Sequence, residues 1–290
     1  MPANQFASYL GPKYKTQLGR TIAQALIEAS FTVNIVSRAS STFATHAHPS
    51  AIFKCASYES TMSLEEALQD QDAIVEAFNP IAAAYQDNIL RAAIRMGVKH
   101  IITPDFSSDT FNPQAHELRI FEPKLCSQTR LESLASQGKI YWTAIIVGPF
   151  YDWAISRGLF WVNNQDRKIT LFGSGNQRIS MSALSIVGRA TVAVLQHPKD
   201  FVNRPAYFAD YTISTNELIA LWTLYENGSK LWDKDTDNGL KDRLSTPAYV
   251  LLGTFEEDSR YGADFGTKVE PGWEKPRHQL KQDLNKLLLD

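Results

Sequence analysis

Only two cysteines, Cys55 and Cys126, occur in 290 residues. They lack metal-ligand spacing, which excludes a zinc ribbon or finger, and they read as reduced core or helix residues rather than a disulfide framework. His46 and His48 sit in a loop segment with no cysteine or carboxylate at ligand spacing, so no metal site is expected. An excess of one charge sign is missing too. The 29 Lys and Arg against 31 Asp and Glu leave a net charge of −2, and Lys13 with Lys15 is too small a basic group for a nucleic-acid footprint. No apolar run reaches membrane-spanning length, and Met1-Pro2-Ala3-Asn4-Gln5 lacks a basic segment with an apolar one behind it. The expectation is a soluble cytoplasmic protein with no nucleic-acid or membrane partner, and the 44% hydrophobic content is enough for a sizeable core.

One further absence is local. Leu10-Gly11-Pro12 is followed by Lys13-Tyr14-Lys15-Thr16-Gln17 and then Leu18-Gly19-Arg20-Thr21-Ile22. This resembles the strand-turn-helix that opens a dinucleotide-binding fold, where three close-set glycines let backbone amides and a helix N-terminus approach a pyrophosphate. Here Gly11 and Gly19 are eight positions apart (19 − 11) with no glycine between them. Gly11, Pro12 and Gly19 are the candidate cofactor-loop residues, and the missing central glycine implies NADP(H) binding that is weakened or lost.

The rest of the unit has the expected order. Ile22, Ala25, Leu26 and Ala29 follow helical spacing, and Phe31 to Ser37 alternates as a strand. Arg38 follows, nineteen positions after Gly19 (38 − 19), where an NAD-specific protein carries an acidic residue. Two readings of Arg38 stand: a ligand for the 2′-phosphate of NADP, together with Ser40 and Ser41, or a solvated residue at a strand end.

Strand and helix signals then alternate. Strands are predicted at 52–55, 73–78, 99–104 and 141–149, and helices at 63–68, from about 81 to 96, and before Gly138. Strands separated by helices imply an α/β fold, a doubly wound, Rossmann-like parallel sheet with a smaller C-terminal substrate region. Residues 1–150 are assigned to the dinucleotide-binding domain and 151–290 to the substrate region, with about 179–211 returning to the first domain. Asp233 to Asn238 reads as a charged loop.

Gly97-Val98-Lys99-His100-Ile101-Ile102-Thr103-Pro104-Asp105-Phe106-Ser107-Ser108-Asp109, Trp142-Thr143-Ala144-Ile145 and Gly148-Pro149-Phe150-Tyr151-Asp152-Trp153 resemble conserved segments of the NmrA-like and isoflavone-reductase-like group of atypical short-chain dehydrogenases, fungal type. The likeness continues through Ile179 to Ser182, Gly188 to Ala190, His197-Pro198 and Asn216 to Leu218, so it covers nearly the whole chain. It implies an NADPH-dependent reductase of a small aromatic or polyketide-like metabolite in secondary metabolism. Some relatives bind dinucleotide without known catalysis and act as regulators. The family's lysine matches Lys124 in Phe121-Glu122-Pro123-Lys124, which makes Lys124 the candidate catalytic residue; otherwise it is a surface lysine on an amphipathic helix.

This chain departs from the family at three places. The glycine loop is two residues longer than usual, Ser57 stands where an aspartate faces the adenine, and Phe78-Asn79-Pro80 occupies the passage where small residues let the cofactor by. Phe78 and Asn79 are nevertheless kept as cofactor-binding candidates. Asp105 lies at a strand's C-terminal end beside Phe106, where α/β folds bind ligands, and either substrate contact or loop capping suits it. Phe150 and Trp153, among aromatics suited to flat substrates, complete the substrate candidates. Trp142 and His100 read as core, and Ser107 and Ser108 have no histidine context for a hydrolase triad. The expected protein is a small-molecule enzyme, monomer or homodimer, with two alternatives: a redox-inactive isomerase, dehydratase or cyclase on the same fold, and an NADP-sensing regulator.

Overall fold

The computed structural model describes residues 5–9, 16–38, 50–77, 85–157, 162–163, 168–223, 233–237 and 253–289. The first elements in chain order are β1 (Gln5–Tyr9), α1 (Thr16–Glu28), β2 (Thr32–Ser37), β3 (Ile52–Cys55), α2 (Thr61–Leu68), β4 (Ala73–Val75), α3 (Gln86–Arg95) and β5 (His100–Ile102). There follow α4 (Glu122–Ser136), β6 (Tyr141–Ile146), α5 (Tyr151–Ser156), β7 (Val162–Asn163), β8 (Lys168–Phe172), β9 (Arg178–Met181), α6 (Ile186–Gln196) and α7 (Pro198–Phe201). The last are β10 (Arg204–Tyr207), β11 (Tyr211–Ser214), α8 (Thr215–Thr223), β12 (Asp233–Asp237) and α9 (Arg277–Leu289).

Two compact units result. The first comprises Met1–Phe106, Pro123–Ile145 and Val187–Ala206, and the second Ser107–Glu122, Ile146–Ile186 and Tyr207–Asp290. Of the stretch 179–211, residues 187–206 fall in the first unit.

The first unit is built on a seven-stranded sheet of order β10-β6-β5-β4-β1-β2-β3. The pairs β1·β2, β2·β3, β1·β4, β4·β5 and β5·β6 are all parallel. Because the order reverses between β1 and β4, right-handed crossovers send the connections on either side of that point to opposite faces, which makes the sheet doubly wound. Leu26, Ile35, Leu64, Ile74 and Ile101 are fully buried, each contributing roughly 2 kcal/mol by removal of apolar surface from water. Gly188 of α6 sits against α1. A Cβ there would lie 2.7 Å from Ala25 Cβ and 2.9 Å from the Thr21 carbonyl, so only glycine permits that approach. At the start of α2, the Ser60 hydroxyl accepts from the Ser63 N–H at 3.2 Å, a sequence-local N-cap.

His100 is a core residue of β5, 5% exposed. The Thr143 hydroxyl donates its one proton to the Phe201 carbonyl at 2.7 Å, so the His100 Nε2, 2.8 Å from Thr143 Oγ1, is the donor in that contact. Burial lowers the imidazole pKa to about 4.

The second unit has two small sheets, β9·β11 antiparallel and a three-stranded sheet of order β12-β8-β7. Its core gathers Tyr151, Ile155, Phe172, Ile179, Met181, Ile213, Phe255, Leu280 and Leu284. The Tyr151 and Tyr211 hydroxyls and the Lys275 ammonium all donate to Asp283 Oδ2, at 3.4, 2.8 and 2.9 Å, which ties α9 down.

Several expectations are corrected. Residues 233–237, read as a loop, form β12, which pairs in parallel with β8 at the sheet's edge. Main-chain pairing needs no apolar side chains, and charge suits an edge strand. Cys55 and Cys126, read as reduced core or helix residues, are both free, and Cys126 does lie on a helix, α4; Cys55, however, is exposed at the end of an edge strand and is not in the core. Gly19, the second of the two glycines that bracket the candidate cofactor loop, falls on the fourth residue of α1 and is buried there. The predicted helix from about 81 is described only from Gln86.

Candidate functional site

Two pockets of the first unit open at the C-terminal ends of its parallel strands, the edge where open α/β sheets bind ligands. The narrower is a recess with about 10 Å³ of free space, lined by Gln86, Thr103, Pro104, Asp105, Lys124, Ser127, Gln128 and Leu131. Sequence spacing explains its wall. Lys124, Ser127, Gln128 and Leu131 stand at i, i+3, i+4 and i+7 of α4 and therefore share one helical face. Pro123, in the first turn of α4, sits where a missing N–H costs nothing.

Lys124 is held from the opposite side. Its Nζ donates to the Asp105 carbonyl at 2.8 Å and lies 3.9 Å from Asp105 Oδ1, with the lysine side chain 10% exposed. Burial lowers the ammonium's pKa, while the Asp105 carboxylate works against that fall. The Thr103 hydroxyl donates to Asp105 Oδ2 at 2.5 Å, so the carboxylate is positioned by the residue two before it. Such an ammonium can donate a proton or hold an oxygen without leaving its place.

Behind this recess lies Glu76, the first residue past β4 and fully buried. Gln86 Nε2 donates to Glu76 Oε2 at 2.8 Å. Burial raises the Glu76 pKa well above the carboxylate range, and the nearby Asp105 adds to the rise, against a smaller lowering by Gln86.

The second pocket is wider, about 440 Å³, and is lined by Arg38, Cys55, Ala56, Ser57, Tyr58, Glu59, Ser63 and Tyr85. Arg38 follows β2 directly, and its guanidinium stands 5.9 Å from the centre of the Tyr58 ring. The Tyr58 hydroxyl donates to the Val36 carbonyl at 3.4 Å, and Tyr85 meets Tyr58 edge to face, with ring centres 6.1 Å apart. The Ser57 N–H donates to Ser63 Oγ at 3.1 Å, and the Tyr85 hydroxyl to Glu59 Oε1 at 3.3 Å.

The structure brings Asp105 and Lys124 together, and it puts Arg38 and Ser57 in one pocket. Phe106, next to Asp105, is buried at φ +25°. Phe150 and Trp153 belong to the second unit and line neither pocket: Phe150 bridges to Ser182, and Trp153 carries the Arg157 guanidinium 4.9 Å from its ring centre. Asp109 is an internal anchor of that unit, accepting from the Tyr207 hydroxyl at 2.9 Å, the Lys268 ammonium at 2.8 Å and the Phe111 N–H at 3.0 Å. Gly11, Pro12, Phe78 and Asn79 lie outside the described residues, as do Ser40, Ser41, His46 and His48. Sequence reasoning missed Glu76, Gln86 and Tyr85 as site residues. For Glu76 the available signal was an acidic residue inside the apolar run Ala73 to Phe78. Among the described residues no group of His, Cys, Asp and Glu could hold a metal, and no helix is long and apolar enough to cross a membrane.

A doubly wound sheet with a buried lysine at its C-terminal edge defines the class, a Rossmann-like α/β protein. The sequence profile of the NmrA-like family matches residues 16–249, and the chain belongs to that family. It is 29% identical over 208 residues to the oxidoreductase aprR of Aspergillus flavus, a match covering 70% of this chain and 68% of that protein. Among solved structures, an isoflavone reductase superposes with a TM-score of 0.71 at 19% identity, covering 97% of this chain and 95% of the other. AtPrR2 with NADP+ and (+)pinoresinol gives a TM-score of 0.73 at 16% identity, covering 100% and 99%.

Proposed function

We propose that this chain is an NADPH-dependent reductase of a small aromatic or polyketide-like molecule, acting in secondary metabolism. The observation that carries the reading is Lys124, a desolvated ammonium held by Asp105 at the C-terminal edge of the sheet. The oxidoreductase name of aprR and the NADP+ and pinoresinol bound by AtPrR2 agree with it.

The residues present fit the adenosine end of NADPH. The Arg38 pocket has nucleotide-sized room at about 440 Å³, with a guanidinium for a 2′-phosphate and the Tyr58 and Tyr85 rings for a base. Bound in this fold, NADPH would supply the hydride. Lys124 would hold the substrate oxygen and deliver a proton from Nζ, with Asp105 keeping the ammonium charged and aimed. Pro104 and Leu131, apolar residues of the recess lining, would help keep bulk water from that proton. The long loop without its central glycine weakens the grip on the pyrophosphate, and a dissociation constant of about 10 μM or more is expected.

Glu76 favours a second reading, a redox-inactive isomerase, dehydratase or cyclase, because it is a buried acid bonded to Gln86 of the Lys124 recess. Calorimetric titration of the purified protein with NADPH and NADH separates the two. Tighter binding of NADPH, lost in Arg38→Gln, supports the reductase; no binding of either dinucleotide, even with the loop shortened by two residues and its glycine restored, overturns it in favour of the second.

A further inference from the structure

Glu76 is a buried carboxyl of the first unit that the proposed reaction leaves unused. It is fully buried, its Oε1 has no hydrogen-bond partner among the described residues, and neither has Oε1 of Gln86, the residue it binds. A structural carboxyl would be expected to find partners for both oxygens. Among the described residues its side chain instead takes a hydrogen bond from Gln86 alone, and Gln86 also lines the Lys124 recess.

We propose that Glu76 is the positioning residue for Lys124: it anchors Gln86 in the wall of the recess and stands near the Asp105 that holds the ammonium, so that its charge adds to that of Asp105 at Lys124. The inference rests on the reading of Lys124 as the proton-holding group, and it adds a residue that sets when that group gives up its proton.

The surrounding charges are few. From α3 comes Gln86, with Asp87 on the outer side, exposed and paired to Arg130 of α4 at 3.5 Å. From the turn after β5 come Thr103 and Asp105, and from α4 comes Lys124. His100 of β5 is kept neutral at neutral pH by burial and bonds to Thr143. Glu122, in the first turn of α4, is exposed. Asp105 is therefore the charge that acts on Glu76 most directly, and it is also the one that holds Lys124.

The chemistry follows from their order of ionisation. With Glu76 protonated, Asp105 alone opposes the desolvation that drives the lysine's proton off. As pH rises and Glu76 ionises, a second negative charge favours the ammonium, so the lysine keeps its proton to higher pH than Asp105 alone would allow. The two groups titrate as a pair, with the carboxyl proton leaving partly in place of the ammonium proton.

Glu76→Gln keeps the shape and the contact with Gln86 while removing the titration. The test is NMR of the full chain with 13C-labelled lysine, following the Lys124 Cε signal with pH; the signal is assigned by its disappearance in Lys124→Met. The Lys124 midpoint is expected to fall by about one pH unit in Glu76→Gln, with the melting temperature at pH 7 unchanged or raised. A midpoint that stays within about 0.2 pH units of the wild type, or rises, overturns the proposal and leaves Glu76 as a packing residue. No substrate or cofactor enters this measurement. If the midpoint moves but Lys124→Met retains full turnover, the Glu76–Lys124 coupling stands and the reductase reading of Lys124 fails.

Discussion

His100 gives the most quantitative prediction, since it separates a core histidine from a catalyst. The ordinary imidazole pKa of 6.5 falls to about 4 in the folded chain, with burial as the cause. A depressed folded pKa stabilises the fold above the unfolded pKa, and that stability is lost as pH falls towards the folded pKa. The shift of about 2.5 units (6.5 − 4) corresponds to about 3 kcal/mol at 1.36 kcal/mol per unit. Integrating the proton binding from pH 7.5 to pH 5 gives a loss of about 2 kcal/mol from this residue alone. His100→Gln keeps a donor for Thr143 Oγ1 but does not titrate. Its stability should be lower at pH 7.5 by about 1 kcal/mol for altered packing, and it should lose about 2 kcal/mol less than the wild type between pH 7.5 and pH 5. Urea unfolding at the two pH values measures the difference, and the imidazole C2–H resonance reports the folded pKa directly. Equal losses in the two proteins, or an imidazole titrating near 6.5, would refute the burial argument.

Three other outcomes follow from the same geometry. Arg38→Gln should cut any preference for NADPH over NADH by ten- to a hundredfold, roughly the 1.5–3 kcal/mol of a charge-assisted contact, and calorimetry giving equal preference before and after would remove Arg38 from the site. Lys124→Met keeps the apolar stem, so turnover should drop at least about tenfold while the melting temperature holds; full activity would return Lys124 to a structural role. Gly148 has φ +67°, and an added Cβ would collide with the Ser180 carbonyl oxygen, so Gly148→Ala should cost about 2–4 kcal/mol in thermal or urea unfolding. A variant as stable as the wild type would mean that this backbone relaxes freely.

Much of the first unit was legible in the chain itself. Its helices and strands carry local signals: Ser60 caps α2, the apolar spacing of Ile22 and Leu26 faces α1 inward, and the parallel strands are short apolar runs between helices. The family likeness located Asp105 and Lys124. By itself, then, the sequence determined the doubly wound α/β class and the core faces, because periodicity, capping and turn chemistry act over a few residues and are written in order. Only the tertiary structure decided what the lysine meets. Glu76, Gln86, Asp105 and Lys124 are separated by 48 residues from first to last (124 − 76), and no local rule joins them. Strand order set Glu76 next to the end of β5, and burial removed the water that would have kept its carboxyl and the ammonium at their ordinary pKa values. Charged residues 233–237 illustrate the same division, since their side chains read as a loop and only pairing with a strand some sixty-five residues earlier (233 − 168) made them an edge. Backbone hydrogen bonding across such a separation depends on which strands the fold brings side by side, and side-chain chemistry does not encode it.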